Sequence, residues 1–166
     1  MGECLINGTF SLAKKGATCG KDSERGKGTK IMAITDTGGA VLSVSIGSAA
    51  PHEVTLVETS LEERFIEQLP ERLIGDRAYD SDALDEQLAE KGIKMIAPHR
   101  ANHKKKKTQD TRKLSRYNRR WKVERFFAGL FNYRRCIVRY EYKEQNFKAI
   151  VLSACIIILL KSFFYL

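Results

Sequence analysis

Residues 30–46 read KIMAITDTGGAVLSVSI, and the reading of this stretch decides the fold. Lys30 to Ile34 is an apolar run of strand length, Asp36-Thr37-Gly38-Gly39 carries turn chemistry, and Ala40 to Ile46 alternates as a returning strand does. Upstream, Cys4 to Leu12 (CLINGTFSL) is another apolar and β-branched run, centred on Asn7-Gly8, where the dipeptide predicts that the strand ends or bulges. A Gly-, Lys- and Ser-rich loop separates these runs. Together they predict a three-stranded meander.

Downstream the pattern changes period. Between Glu53 and Gln68, Val54, Val57, Leu61 and Phe65 recur at helical spacing with acids between them, which predicts an amphipathic helix ended by Pro70. Arg72 to Asp76 reads as a short buried strand that stops at Asp76. Ser81 or Asp82 can cap a helix running to about Lys91, which Gly92 closes. Ile93 to Ala97 is a further strand broken by Pro98, and a basic loop follows at about 99–114. Helices are predicted from about Ser115 to Phe131 and from about Lys143 to Leu160. Strands first, then helices alternating with strands, then helices against a mixed sheet describe an α/β layer fold. At 166 residues and 43% hydrophobic content, residues 1–166 are expected to form one domain around one core.

Charge divides this chain sharply. Residues 1–98 hold 11 Lys/Arg against 16 Asp/Glu, a net of −5, whereas residues 99–166 hold 18 against 4, a net of +14; the sum is the formal +9. A basic half of this kind suits a polyanion and predicts binding that weakens steeply with salt, although a solvated charged face has the same composition. Cys4, Cys19, Cys136 and Cys155 show neither paired spacing nor a nearby His cluster, which argues against a zinc knuckle or a disulfide framework and favours a reducing cytoplasm. No secretory signal is expected at the N-terminus. The run Ala149 to Leu160 (AIVLSACIIILL) stops at Lys161, short of the roughly 20 apolar residues a bilayer requires, so a buried core helix is expected and no membrane partner.

Two acids stand out. Asp76 lies at the exit of a buried strand, where an Asp is either a turn former or an active carboxylate. Glu124 follows a stretch in which ten of the nineteen residues from Lys104 to Lys122 are Lys or Arg. On a helix it shares a stripe with Tyr117, Trp121, Ala128 and Phe131, which would turn its carboxylate toward the packed side, where it must find a cation. Either Arg120 one turn earlier or a divalent metal shared with Asp76 could supply one.

The stretch from Tyr117 to Phe127, YNRRWKVERFF, resembles the Y-x2-R-x3-E signature of DDE transposases from bacterial insertion sequences of the four/five type. Gly75 to Ser81 (GDRAYDS) is similar to that family's second-aspartate block. The early strand Leu5 to Phe10, the Lys30 to Ile34 strand with its Asp36 turn, and Pro51-His52-Glu53 leading into a helix are similar as well. The resemblance implies an RNase H-like mixed sheet flanked by helices, and cleavage at a transposon end followed by strand transfer. It implies Asp76 and Glu124 as ligands of Mg²⁺ or Mn²⁺, two ions in an intact site, a chemistry that suits hard oxygen donors. DNA is the implied partner, on which the protein would act at least as a dimer. The basic candidates for it are Lys104, Lys105, Lys106, Lys107, Arg112, Lys113, Arg116, Arg119, Arg120, Lys122, Arg134 and Arg135, with Arg120 and Lys122 placed to orient the glutamate or contact phosphate.

The sequence departs from the family pattern at two positions. Asn7 stands where the first aspartate is expected; the amide keeps the shape but loses an anionic ligand, so little or no transposition is expected. Asp22 and Asp36 read as loop and turn residues rather than replacements. Phe131 stands where a lysine is common, leaving Arg134 or Arg135 for its phosphate role. An N-terminal DNA-recognition region is also expected of a complete enzyme, which leaves open a split element with an N-terminal partner frame or a truncated relic that binds DNA without catalysis.

Overall fold

Strands buried on both faces carry unbroken apolar runs rather than alternating ones, and Cys4 to Ile6 and Ile31 to Ile34, each buried throughout, obey this rule. The computed structural model describes residues 1–16, 19–22, 25–99 and 117–164. The expectations for Arg116, Lys113, Arg112 and Lys104 to Lys107, and for the basic loop beyond His99, fall outside these residues. Strand β1 (Glu3–Ala13) is followed by the short β2 (Gly20–Asp22), then by β3 (Gly26–Asp36) and β4 (Val41–Ser48). β3 pairs antiparallel with β1 on one side and with β4 and β2 on the other, so the meander is present with β3 at its centre.

The strand neither ends nor bulges at Asn7-Gly8. Asn7 pairs with Ala33 and Gly8 with Met32 in an unbroken register, and the irregularity lies instead at Ile34/Thr35 in the pairing of β3 with β4. Gly8 serves close approach rather than a break: a Cβ there would stand 2.7 Å from Met32 Sδ and 2.8 Å from Glu53 Cδ. The Asp36 turn closes as read, its carboxylate accepting from the Gly38 and Ala40 amides at 2.8 Å each.

The helix expected over 53–68 is shorter. A 3-10 turn (Glu53–Leu56) leads into α1 (Val57–Glu62), which stops well before Pro70. Its continuation is captured by β4: Arg64 bridges to Ser43, the Phe65 amide donates to Leu42 O, and Phe65 is left about half exposed. β5 (Arg72–Ile74) and β6 (Lys94–Ile96) extend the sheet in parallel from β1, with α2 (Asp82–Glu90) between them. Gly92, at φ +71°, closes that helix as expected. From Tyr117 onward come a 3-10 turn (Asn118–Arg120), α3 (Trp121–Leu130), the four-residue α4 (Arg134–Ile137), β7 (Val138–Arg139), which pairs parallel with the end of β1, and α5 (Glu144–Phe164).

The described residues thus form a seven-stranded mixed sheet in the order β2-β3-β1-β5-β6, with β4 on β3 and β7 on β1. Alternate residues of each central strand feed opposite layers. Leu5, Ile31, Ala33 and Ile74 pack with Val123, Phe126, Phe127 and Leu130 of α3 and with Phe147, Val151, Ala154 and Cys155 of α5. Cys4, Ile6, Met32, Ile34 and Leu73 pack on the other face with Val57 and Leu61 of α1 and Leu84 and Leu88 of α2. This is the α/β layer fold that the pattern predicted, a mixed sheet flanked by helices as the RNase H-like resemblance implied.

α5 departs from the expected core helix. Its first half is buried through Phe147, Val151, Ala154 and Cys155, but Ile156, Ile157, Leu160, Phe163 and Phe164 are exposed. At 21 residues it is long and apolar enough to cross a membrane by length and composition, yet its N-terminal half is a wall of the core.

Candidate active site

Parallel strands end together at one edge, and loops leaving that edge can bring distant residues side by side. The β1–β5 ladder runs from Glu3↔Arg72 to Leu5↔Ile74 and stops there. Asn7 and Asp76 each stand two residues further on, at the same level of adjacent strands. Leu5 and Ile74 both face the layer of α3 and α5, and the alternation of β1 gives Asn7 that same face. Asp76 leaves the strand as the cap of a 3-10 turn (Arg77–Tyr79), its Oδ1 accepting from the Ala78 amide at 2.7 Å.

Glu124 comes to this edge from α3, but not as the sequence stripe implied. The buried stripe of α3 is Val123, Phe126, Phe127 and Leu130, whose spacing fits the core better than the stripe through Trp121, and Trp121 is half exposed. Glu124 therefore lies on the solvent side of the helix, with its side chain 46% exposed.

What joins the two acids is Arg120. Its Nη2 is 2.5 Å from Glu124 Oε1 and its Nη1 is 3.5 Å from Asp76 Oδ2. The Tyr117 ring lies 5.1 Å under the same guanidinium. Tyr117, Arg120 and Glu124, which share a signature in sequence, are thus one contact chain in space, and it ends on Asp76. Asn7 does not join it: its amide Oδ1 accepts from its own neighbour's amide, Gly8 N, at 2.9 Å.

Below Asp76 the site has a buried floor that sequence reading passed over. Tyr79 is fully buried, and its hydroxyl donates to Glu53 Oε2 at 2.8 Å. Burial first, then the Glu53 carboxylate, push the Tyr79 hydroxyl well above the ordinary tyrosine range; Asp76 adds to this and Arg120 opposes it. His99 Nδ1 lies 3.0 Å from Asp80 Oδ1 at the same edge, where β6 ends. Gly8, without a side chain, makes room for Glu53, a contact between distant segments that no local sequence pattern links.

Asp76 and Glu124 share one guanidinium, which places a positive charge between the two anions. Mg²⁺ is commonly held by one or two carboxylates together with substrate phosphates, so Asp76 and Glu124 fit one hard cation. Among the described residues no group of three or more His, Cys, Asp or Glu side chains stands together as a ligand set.

The remaining basic candidates divide by location. Arg119 pairs with Glu3 at 3.3 Å, and Lys122 Nζ donates to Thr37 O at the β3–β4 turn. Lys122 and Arg125 flank the half-exposed Trp121 ring at 5.8 and 5.1 Å, a cationic and aromatic surface next to Glu124. Arg134 and Arg135 lie past the opposite end of α3, and Arg135 is ion-paired with Glu141, so neither stands beside the two acids. Phe131, where a lysine was looked for, is the C-cap of α3 and packs against the core.

A family model described as the transposase DDE domain matches residues 5–159. A putative transposase for insertion sequence element IS402 from Burkholderia cepacia is 28% identical over 139 residues, covering 79% of this chain and 62% of the relative. The chain therefore spans less than two thirds of that relative's length. Among solved structures, the piggyBac transposase in a synaptic complex with hairpin DNA matches with a TM-score of 0.57 at 10% identity, over 93% of this chain and 45% of that one. That likeness is one of fold.

Proposed function

This chain belongs to the transposase DDE domain family, and on that premise we propose that it is the catalytic domain of an insertion-sequence transposase in which Asn7 has replaced the first acidic ligand. The observation that carries this reading is the Asp76–Arg120–Glu124 bridge, which joins two acids far apart in sequence across one cation at the edge where parallel strands end. Asp76 and Glu124 would hold Mg²⁺ or Mn²⁺. A divalent ion there supplies Lewis acidity toward a phosphate oxygen and acidifies a bound water. Arg120 offsets one of the two negative charges in the free protein, and Lys122 and Arg125 offer cations to the DNA backbone beside them. With one carboxylate missing, transposition by the chain itself is expected to be slight.

The test is metal-dependent nicking of supercoiled plasmid by the purified chain with Mn²⁺. Asn7→Asp should raise nicking by on the order of a hundredfold, the scale on which preorganised charge acts in such sites. Glu124→Gln in that background should abolish the gain. If the Asn7→Asp protein is folded and binds DNA yet nicks no faster than the parent, this account of Asn7 is wrong. A second reading, a DNA-binding protein without catalysis, is favoured by the incomplete carboxylate set. It predicts salt-sensitive DNA binding in both proteins and Mn²⁺ affinity in neither.

A further inference from the structure

The geometry points to a device that keeps positions 7 and 76 in register: a hydrogen-bonded strap of Glu53 and Tyr79 that backs strand β1 beside Asn7 and the loop that carries Asp76. This inference rests on the reading of Asp76 as a metal ligand. The main-chain ladder between β1 and β5 ends at Leu5↔Ile74, so no pairing between these two strands holds Asn7 and Asp76 together at their level.

The strap takes over where the ladder stops. On one side, the Glu53 carboxylate lies against Gly8, the residue after Asn7, so closely that a Cβ there would be 2.9 Å from Oε1. On the other side, the Tyr79 ring lies against Gly75, the residue before Asp76, where a Cβ would be 2.6 Å from the ring Cδ2. The Tyr79 hydroxyl closes the gap by donating to Glu53 Oε2 at 2.8 Å. Asn7-Gly8, Glu53, Tyr79 and Gly75-Asp76 are therefore one continuous line of contact, and both glycines are small where the strap needs them to be. Tyr79 is fully buried, so its hydroxyl has little alternative to this bond. Glu53 and Tyr79 are positioning residues, which act on Asn7 and Asp76 through the backbone on either side.

The test compares Mn²⁺ affinity, by electron paramagnetic resonance of free Mn²⁺, in the Asn7→Asp protein and three derivatives of it. Tyr79→Phe and Glu53→Ala break the bond and are expected to weaken Mn²⁺ binding by about tenfold or more, as loss of groups that orient metal ligands does. Glu53→Gln retains an acceptor for the phenol and is expected to stay within about threefold of its parent, on the same scale. Equal affinity in Tyr79→Phe and its parent overturns the strap. So does a loss in Glu53→Gln as large as that in Glu53→Ala with Tyr79→Phe unaffected, since Glu53 would then be a ligand itself. Should the parent bind no Mn²⁺ that Asp76→Asn removes, the functional reading fails separately. The strap is then judged by amide hydrogen exchange over residues 75–78, which must speed up in Tyr79→Phe more than in the core strands; an unchanged rate there rejects it.

Discussion

At the scale of single residues, Arg120 holds the place that a metal ion would compete for. Its guanidinium is about a quarter exposed and reaches both carboxylates, so the pair contributes little to stability, on the order of 0–1 kcal/mol. Its removal should therefore cost little fold and change the electrostatics of the site strongly. Arg120→Gln leaves Asp76 and Glu124 without their shared cation. Mn²⁺ affinity without DNA is expected to rise, while DNA affinity falls and loses part of its salt dependence. Calorimetric titration with Mn²⁺ and salt-dependent DNA binding read the two effects. Weaker Mn²⁺ binding in Arg120→Gln would mean that the arginine orients the ligands instead of standing in for the ion. Asp76 and Glu124, the two acids that Arg120 joins, each sit in a local pattern that sequence can show, a strand exit and a Y-x2-R-x3-E spacing. Glu53 does not, since its partner Tyr79 and its contact Gly8 come from two other segments, and no local pattern links them.

Elements show where periodicity suffices and where it misleads. The apolar run in KIMAI and the alternation in AVLSVSI marked β3 and β4, because a strand buried on both faces is apolar throughout and one half buried alternates. The apolar spacing of 53–68 was equally regular, yet the helix ends at Glu62 because Arg64 finds Ser43 on β4; pairing across the sheet overrode local preference. α5 makes the same point in energy. Its apolar residues look alike in sequence, but Phe147→Ala should cost about 3–5 kcal/mol, as for a fully buried aromatic, whereas Ile156→Ser should stay within about 0.5 kcal/mol. Urea unfolding of the two variants separates them, and a comparable loss in both would mean that the outer face of α5 is covered in solution. β3 offers a sharper case. A Cβ at Gly28 would stand 2.2 Å from the Phe10 ring and 2.7 Å from Ser11 O. The ring could swing away but the backbone oxygen cannot, so Gly28→Ala should destabilise by about 1–3 kcal/mol, and the companion change Phe10→Leu should recover only part of that loss.

For the molecule as a whole, the buried thiols set how the fold responds to alkali. Cys4, Cys136 and Cys155 are buried from opposite layers of the sheet, Cys4 beneath α1 and α2 and the other two beneath α3 and α5. Burial lifts Cys4 and Cys136 from 9.0 to about 11 and Cys155 to about 12, with the nearby Asp36, Glu141 and Cys136 adding to the respective shifts. A group whose folded pKa is raised holds its proton more tightly in the native state. Its stabilising contribution is therefore complete below the unfolded value and is lost as pH rises through the folded one. All three thiols share that sign, and so does Tyr79. In reductant, the melting temperature should thus fall progressively from about pH 9 toward pH 11–12, where neither layer alone can keep its thiols protonated. Native thiol titration adds an independent check at neutral pH. Cys19, the partly exposed one of the four, should react within the mixing time of a disulfide reagent, and the other three only as fast as the protein unfolds. More than one thiolate developing near pH 9 in protein that is still folded, or three rapid equivalents under native conditions, would place buried cysteines outside the closed core on which both helical layers are built.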